Sequence, residues 1–210
     1  MTQIDAARAG ICTPEMKAVA AKEYKTPEEI RDAVAKGIIA IPANINHTTL
    51  DPEGVGEGLR TKVNVNLGIS GDLMDEEMEL EKARIALELG AEGIMDLSNH
   101  GKTREFRRKL LAMSSAMIGT VPMYDAIGYL EKPLIGITAQ DFLDVVRAHA
   151  EDGVDFVTVH AGMNRRVIES FKETGRLMNI VSRGGSLIFA WMEATGNENP
   201  FYEHYDEVLE

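Results

Sequence analysis

Residues 62–97 read KVNVNLGISGDLMDEEMELEKARIALELGAEGIMDL, with a β-strand pattern at each end and a helical pattern between them. The two end segments are short and rich in apolar and β-branched residues, which is typical of strands. Between them, Leu80, Ala83 and Leu87 share one face of a helix predicted over 75–89, and the glycine that follows supplies its stop. A strand–helix–strand unit of this kind predicts two parallel strands joined by a right-handed crossover.

The same alternation continues along the chain beyond this unit. The predicted strands are 62–67, 93–97, 117–123, 155–160 and 179–182. A helix is predicted over 139–152, because Thr138 and Asp141 form a capping pair at its start and Gly153 follows its end. Its expected apolar stripe is Phe142, Val146 and Ala150.

Polar or otherwise distinctive residues stand at the ends of the predicted strands. They are Asn66, Asp96 with Ser98, Tyr124, His160, and Ser182 with Arg183. In a βα barrel such strand ends converge on one pocket, whereas a doubly wound sheet usually has a glycine-rich first turn. No GxGxxG pattern follows the first strand here. We therefore predict an α/β fold that is a partial (β/α)8 TIM barrel, with about five of its eight strands.

A small helical and loop region, residues 1–60, is predicted to precede the barrel part, residues 61–210. Thr13-Pro14 and Thr26-Pro27 are helix starts, because a threonine cap is followed by proline at the first helical position. A complete barrel needs three more strands, and five parallel strands alone leave exposed edges. The chain is therefore expected to be truncated.

The composition is that of a globular protein, with 44% hydrophobic and 27% charged residues. Its 22 basic and 34 acidic residues give a net charge of −12, which argues against nonspecific nucleic-acid binding. The apolar runs are too short for a membrane span, and no signal peptide begins the sequence, so a cytoplasmic location is expected. The single cysteine, Cys12, cannot form a disulfide within the chain or hold an iron–sulfur cluster by itself.

Ser182-Arg183-Gly184-Gly185-Ser186 is the best phosphate-binding candidate that the residues themselves indicate. Glycine backbone lets N–H groups approach an anion, and an arginine can bind two phosphate oxygens. A tight turn before a helix, with a surface arginine, explains the same residues about equally well. His160 follows a strand and is suited to hydrogen bonding or acid–base work near neutral pH, although a histidine satisfied in the core is the simpler reading.

Other candidates are weaker when taken from the residues alone. Tyr124 is suited to contact with a flat ring, but tyrosine is also common in packing at a barrel rim. Asn66 offers a donor and an acceptor, or simply ends a strand, and Met95 is assigned to the core. The segment from Asn44 through Asn46 to His47 is polar, and ordering a loop would explain it. These residues predict a pocket for a small anionic heterocycle without indicating a reaction.

Six segments, in order, carry a resemblance to a known family. They are 41–47 (IPANINH), 59–66 (LRTKVNVN), 95–98 (MDLS), 119–124 (GTVPMY), 151–156 (EDGVDF) and 180–186 (IVSRGGS). Together they resemble the ThiC family of radical S-adenosylmethionine enzymes, along the whole chain. The resemblance implies a (β/α)8 barrel, a homodimer, and 5-aminoimidazole ribotide as the substrate. Carried over by motif, the substrate-binding residues are Asn66, Met95, Tyr124, His160, Ser182, Arg183 and Gly184.

The resemblance also implies cofactors whose ligands have no counterpart in this chain: a 4Fe-4S cluster, S-adenosyl-L-methionine and zinc. The family's three-cysteine motif and its two zinc-binding histidines are not found before residue 210. The full-length protein is therefore expected to be a radical lyase, and this chain alone is expected to be inactive. The residues that handle the radical stay unassigned.

Two products are known for this family, and loops at the strand exits are the basis for choosing between them. The loop 99–102 (NHGK) replaces the acidic, glycine-rich turn usual in the pyrimidine synthases, and the segment 125–133 also differs. Because barrels vary their chemistry at strand exits, these differences favour 5-hydroxybenzimidazole, for the lower ligand of anaerobic cobalamins. The alternatives are phosphomethylpyrimidine, for thiamin, and a non-catalytic fragment that binds the ribotide or phosphate.

Overall fold

The fold is described from a computed structural model, which describes residues 1–101, 103–128 and 132–210. The strands are β1 (Ile39–Ala40), β2 (Val55–Gly56), β3 (Asn64–Leu67), β4 (Gly93–Asp96), β5 (Met117–Thr120) and β6 (Phe156–Val157). The helices are α1 (Gln3–Arg8), α2 (Pro14–Lys22), α3 (Pro27–Ala35), α4 (Glu76–Glu88), α5 (Thr103–Met113), α6 (Pro122–Gly128), α7 (Ala139–Asp152), α8 (Arg165–Thr174), α9 (Arg183–Thr195), α10 (Pro200–Glu203) and α11 (Tyr205–Leu209).

A four-stranded parallel sheet forms the centre of the fold, with the strand order β3-β4-β5-β6. β1 and β2 form a separate antiparallel pair near the N-terminus. The α/β class and the parallel pairing predicted from the sequence are therefore confirmed. Each strand of the main sheet lies beside the one that precedes it in the chain, so the strand order does not reverse within the sheet.

The predicted fifth strand, 179–182, is wrong. These residues lie between α8 and α9 without strand pairing in the described structure, and Ser182 caps the N-terminus of α9 instead. Leu177, Met178 and Val181 are exposed, so this segment lacks the neighbouring strand that a buried β-strand needs. A local sequence pattern does not show whether a neighbouring strand is present.

Two other predicted strands are shorter than expected. β5 ends at Thr120 because Pro122 opens α6, and a proline is well suited to the first turn of a helix. β6 covers only Phe156–Val157, opposite the end of β5, although Thr158 N still donates to Thr120 O at 2.8 Å. The strand ends therefore merge into loops and helix starts at the same edge of the sheet.

Helix α7 has the predicted capping box but a different buried face. Thr138 and Asp141 cap its N-terminus as expected. Phe142 is fully buried, but Ala150 is exposed, so the predicted stripe is wrong in part. The buried positions continue instead through Val145 to His149. A polar residue in the core broke the apolar pattern, because His149 is buried through hydrogen bonds rather than through hydrophobicity.

Three apolar clusters hold the layers together. One joins the sheet to α4 and α5, and another joins α1, α2 and α3. The third joins α6, α7, α9 and α10, where Phe142 makes edge-to-face contacts with Trp191 and Phe201. The threonine caps predicted at Thr13 and Thr26 are confirmed. Within the described ranges, no helix has the length and apolar character needed to cross a membrane.

Asp155 connects the N-terminal loop to the sheet. Its carboxylate accepts hydrogen bonds from Asn44 N at 2.9 Å, Ile118 N at 2.7 Å and His47 Nδ1 at 2.7 Å. The Asn44 side chain adds donations to the carbonyls of Ala150 and Val154. The segment 44–47 therefore orders a loop, as the simpler interpretation of the sequence held.

His47 is held between two oxygens in a way that favours its charged form. Nδ1 contacts Asp155 Oδ2, and Nε2 lies 3.0 Å from the carbonyl oxygen of Ser114. Burial opposes the charge, but the Asp155 carboxylate and the carbonyl outweigh it, so the pKa of His47 lies above its ordinary value of 6.5. Because only the imidazolium has two N–H donors, both contacts are satisfied at once when the ring is protonated.

We expect this contact to stabilise the fold more at low pH than at high pH. A raised pKa in the folded state gives stability that is fully present below the unfolded-state pKa and is lost as pH rises through the folded-state pKa. The stability difference between the wild type and His47→Gln should therefore be larger at pH 6 than at pH 8.5. Urea denaturation of both proteins at each pH measures it, and effects of the other histidines cancel in the difference. A difference that grows with pH would contradict this assignment.

Candidate ligand site

A row of residues crosses the sheet near its carboxyl edge. Asn66, Met95, Gly119 and Phe156 lie opposite one another in register on β3 to β6. A Cβ atom at Gly119 would overlap the Phe156 ring and Met95 Sδ, so only glycine fits between these two side chains. Asn66 is exposed and accepts a hydrogen bond from Asn64 Nδ2 at 2.9 Å. The row places two apolar side chains, Met95 and Phe156, over Gly119, with the Asn66 amide at one end.

The N-terminus of α9 lies against His160. Ser182 is the N-cap residue, and its Oγ accepts a hydrogen bond from Gly185 N at 3.1 Å. A Cβ atom at Gly184 would overlap the His160 ring, so glycine allows the ring to lie directly on the helix start. Within the described part of the chain, the amides of Arg183 and Gly184 have no acceptor, as is usual for the first turn of a helix. This end of α9 has the properties of an anion-binding site.

His160 presents a buried ring nitrogen without a hydrogen-bond partner. Its Nε2 lies 3.1 Å from Ser182 Oγ, and Nδ1 is buried without a hydrogen-bond partner in the described structure. Burial lowers the pKa of His160, so the ring is neutral near pH 7. Ser182 Oγ can donate to Nε2 or accept from it while it accepts from Gly185 N, so either ring nitrogen can carry the proton. A buried ring nitrogen without a hydrogen-bond partner therefore lies beside the start of α9.

Arg183 lies over the ring of Tyr124. The guanidinium carbon is 5.6 Å from the ring centroid, within the range of a cation–π contact. Among the described residues, the Arg183 side chain makes no hydrogen bond or ion pair, so its N–H groups are available to an anion. Tyr124 is half-buried and packs on the apolar cluster of α6, α7, α9 and α10, as does Met95.

The structure thus brings together five of the residues predicted for the site. They are Tyr124, His160, Ser182, Arg183 and Gly184. Asn66 and Met95 belong to the sheet row, and Met95 borders the same apolar cluster as Tyr124. The assignment of these residues to substrate binding remains a prediction.

A buried polar cluster beneath α6 was missed by sequence reasoning. Asp125 accepts from Arg107 Nη1 at 2.9 Å and from His149 Nε2 at 2.8 Å, while His149 Nδ1 lies 2.8 Å from Thr120 Oγ1. Burial also raises the pKa of nearby Asp96 to about 6. The one feature of the sequence that could have indicated this cluster is that Asp125 directly follows Tyr124.

Comparison with known proteins decides the family. The sequence profile of the radical SAM ThiC family matches residues 2–210. The chain belongs to this family. It is 62% identical over 209 residues to a phosphomethylpyrimidine synthase of Alkaliphilus oremlandii, 63% identical to one of Alkaliphilus metalliredigens, and 60% identical to one of Pelotomaculum thermopropionicum.

Each of these three alignments covers all of this chain and 48% of the relative. The chain therefore spans about half the length of the curated ThiC-family relatives it matches. All three relatives are called phosphomethylpyrimidine synthases, so the comparisons favour the pyrimidine alternative over the benzimidazole product that the loop 99–102 suggested. Part of that loop, Lys102, lies outside the described residues, as do residues 129–131 of the second divergent segment.

The residues of this chain do not fit the metal groups of the ThiC family. Across 1–101, 103–128 and 132–210, no group of three or more His, Cys, Asp or Glu side chains is arranged to hold a metal ion. Cys12 is the chain's one cysteine, whereas the cluster motif needs three. We therefore derive no chemical step through a cluster or a zinc ion from these residues.

Proposed function

We propose that this chain is the ribotide-binding, N-terminal half of a phosphomethylpyrimidine synthase, which rearranges 5-aminoimidazole ribotide for thiamin synthesis. The names of the relatives, at about 60% identity, support this product. The 4Fe-4S cluster, S-adenosyl-L-methionine and zinc would be held by parts of the protein outside this chain. The resemblance to the family also implies a homodimer, which sedimentation of the whole protein would test.

We further propose that, in the whole protein, β3 to β6 are the first strands of a (β/α)8 barrel to which residues 61–210 belong, after an N-terminal region of residues 1–60. Two features support a barrel. The strands are parallel and lie in chain order, whereas a doubly wound sheet reverses its order at a switch point. The candidate site also lies at the carboxyl ends of these strands and in the segments that follow them, where barrel enzymes hold their substrates.

The observation that carries the substrate proposal is the meeting of Arg183, the start of α9 and His160. The free guanidinium and the amides of the first helical turn suit the phosphate of a ribotide, and together they favour a dianion. His160 Nδ1 would form a hydrogen bond with a polar atom of the ligand, since this buried nitrogen has no partner in the described structure.

The sheet row suits the heterocycle of the same ligand. Met95 and Phe156, whose side chains close over Gly119, would lie against a flat imidazole ring, and the Asn66 amide oxygen would accept from its amino group. None of these residues has to generate or quench a radical. Their contribution is to bind and orient the ribotide.

Calorimetry tests the binding step. We expect aminoimidazole ribotide to bind the wild-type protein, and the unphosphorylated riboside to bind more weakly because it cannot use Arg183 and the α9 amides. Inorganic phosphate serves as a probe for the anion site alone. If the ribotide binds no better than the riboside, the phosphate assignment is wrong.

The product is tested separately, with the whole protein under anaerobic conditions, supplied with ribotide, reductant and S-adenosyl-L-methionine. Mass spectrometry should find phosphomethylpyrimidine. Detection of 5-hydroxybenzimidazole would instead restore the loop-based alternative.

A further inference from the structure

Helix α6 covers only Pro122–Gly128, but it contributes one residue to the candidate site and the next residue to the buried polar cluster. Tyr124 contacts the Arg183 guanidinium at the candidate site. The next residue, Asp125, is buried and accepts hydrogen bonds from Arg107 on α5 and His149 on α7. Tyr124 and Asp125, which are neighbours in the chain, therefore connect the candidate ligand site with the buried polar cluster.

The cluster around Asp125 fixes α6 from several directions. Arg107 Nη2 continues to Asp152 Oδ2 at 2.9 Å, and His149 Nδ1 contacts Thr120 Oγ1 at the end of β5. Burial opposes the charge of Asp125, but His149 and Arg107 outweigh it and hold the pKa of this carboxyl below its ordinary value. A short helix makes few hydrogen bonds of its own, so these polar contacts and the burial of Met123 and Ala126 together hold it in place.

Arg183 depends on α6 for its direction. Its side chain makes a cation–π contact with the Tyr124 ring and no hydrogen bond or ion pair in the described structure, and the arginine is exposed. A long side chain without a fixed partner loses rotamer freedom on binding, which weakens affinity. When the guanidinium already lies over a fixed tyrosine ring, part of its rotamer freedom is lost before the ligand binds. Less rotamer freedom is then lost on binding.

We propose that Asp125 is a positioning residue: held by Arg107 and His149, it fixes Tyr124 and through it directs Arg183 toward the phosphate of the ligand. This inference rests on the proposed function for the identity of the ligand. The effect of Asp125 on the placement of Tyr124 and Arg183 can be tested without any ligand.

The first readout is fluorine NMR of the protein labelled with 3-fluorotyrosine. The chain has five tyrosines, and the signal missing from Tyr124→Phe identifies Tyr124. Arg183→Ala shows how far that signal moves when the cation is removed. Asp125→Asn keeps the size of the side chain and removes its charge, and we expect it to move or broaden the Tyr124 signal in the absence of ligand.

Asp152→Asn is the matched control. Asp152 is buried in the same cluster and accepts from Arg104, Arg107 and Arg108, all of them on α5. This change should destabilise the protein while leaving the Tyr124 signal in place. If the two variants move the signal equally, the cluster is a general structural element and the proposal is overturned.

The second readout is ligand affinity. Asp125→Asn should raise the dissociation constant for aminoimidazole ribotide about 10-fold and leave that for the riboside nearly unchanged, and Asp152→Asn should change neither. An unmoved Tyr124 signal in folded Asp125→Asn would refute the positioning role, whatever the affinities. If the wild type binds no ribotide but the signal moves as expected, the proposed function fails while the positioning of Tyr124 stands.

His149→Gln is a second variant that tests the same proposal if Asp125→Asn does not fold. It removes one of the two donors that hold Asp125 and leaves Arg107 in place, so a smaller shift in the same direction is expected. Failure of both variants to fold would show that the cluster serves stability alone, and would overturn the proposal.

Discussion

Asp155→Ala should lower the free energy of unfolding by about 3–5 kcal/mol, the range for removing one partner of a buried charged pair. The Asp155 side chain is fully buried and accepts from three donors, so its loss leaves Asn44 N, Ile118 N and the His47 ring without their acceptor. Unsatisfied buried donors are costly because water cannot replace the lost bonds. The N-terminal loop should also become more open to proteolysis, since this carboxylate ties it to the sheet.

Urea denaturation followed by circular dichroism measures the change, with Asp144→Ala as the control. Asp144 is exposed and pairs with Arg147 at 3.2 Å, so its loss should change stability by no more than about 0.5 kcal/mol. A loss below about 1 kcal/mol in Asp155→Ala would show that the loop is held mainly by other contacts.

Arg183→Ala should weaken ribotide binding by about 2–4 kcal/mol, or roughly 30- to 1000-fold, the scale for losing a charge-assisted pair. The guanidinium has no other ion pair in the described structure, so little stability should be lost with it. The riboside carries no phosphate, and its affinity should barely change. Calorimetry with both ligands gives the two differences directly.

Arg176→Ala is the matched control for this experiment. Arg176 also lies over an aromatic ring, that of Phe171 at 5.9 Å, but it is not among the residues gathered at the start of α9. Its loss should leave both affinities unchanged. Equal losses for ribotide and riboside in Arg183→Ala would show that this arginine supports the fold rather than the phosphate.

Local patterns in the sequence predicted the elements whose signals are local. The capping box at Thr138 and the helix over 139–152 are confirmed, as are the parallel strands up to β6. The segment 179–182 failed as a strand because strand formation depends on a neighbour that lies elsewhere in the chain, and no local pattern reports that neighbour. The family resemblance is confirmed, whereas the product inferred from the loop 99–102 is not supported by the relatives.

The site was predicted unevenly for a related reason. Tyr124 and His160 follow strands and Ser182 ends a segment wrongly predicted as one, yet the structure brings them near one another with Arg183 and Gly184. Asp125 and His149 were missed because a periodic pattern assigns polar residues to the outside of a helix. They are buried because Arg107, 18 residues before Asp125 and on another helix, satisfies the carboxylate. Pairings of this kind become visible only in three dimensions.

The long sequence separation between Asp155 and the loop 44–47 also delays the attachment of this loop during synthesis. Its hydrogen bonds to His47 and Asn44 span 108 and 111 residues, so a ribosome adding about 5–20 residues each second needs about 5–20 s to close them. Helices α1 to α3 have their own apolar cluster and can form earlier. The loop 44–47 must stay unattached through this interval, which makes it an exposed segment of the nascent chain for chaperones and proteases.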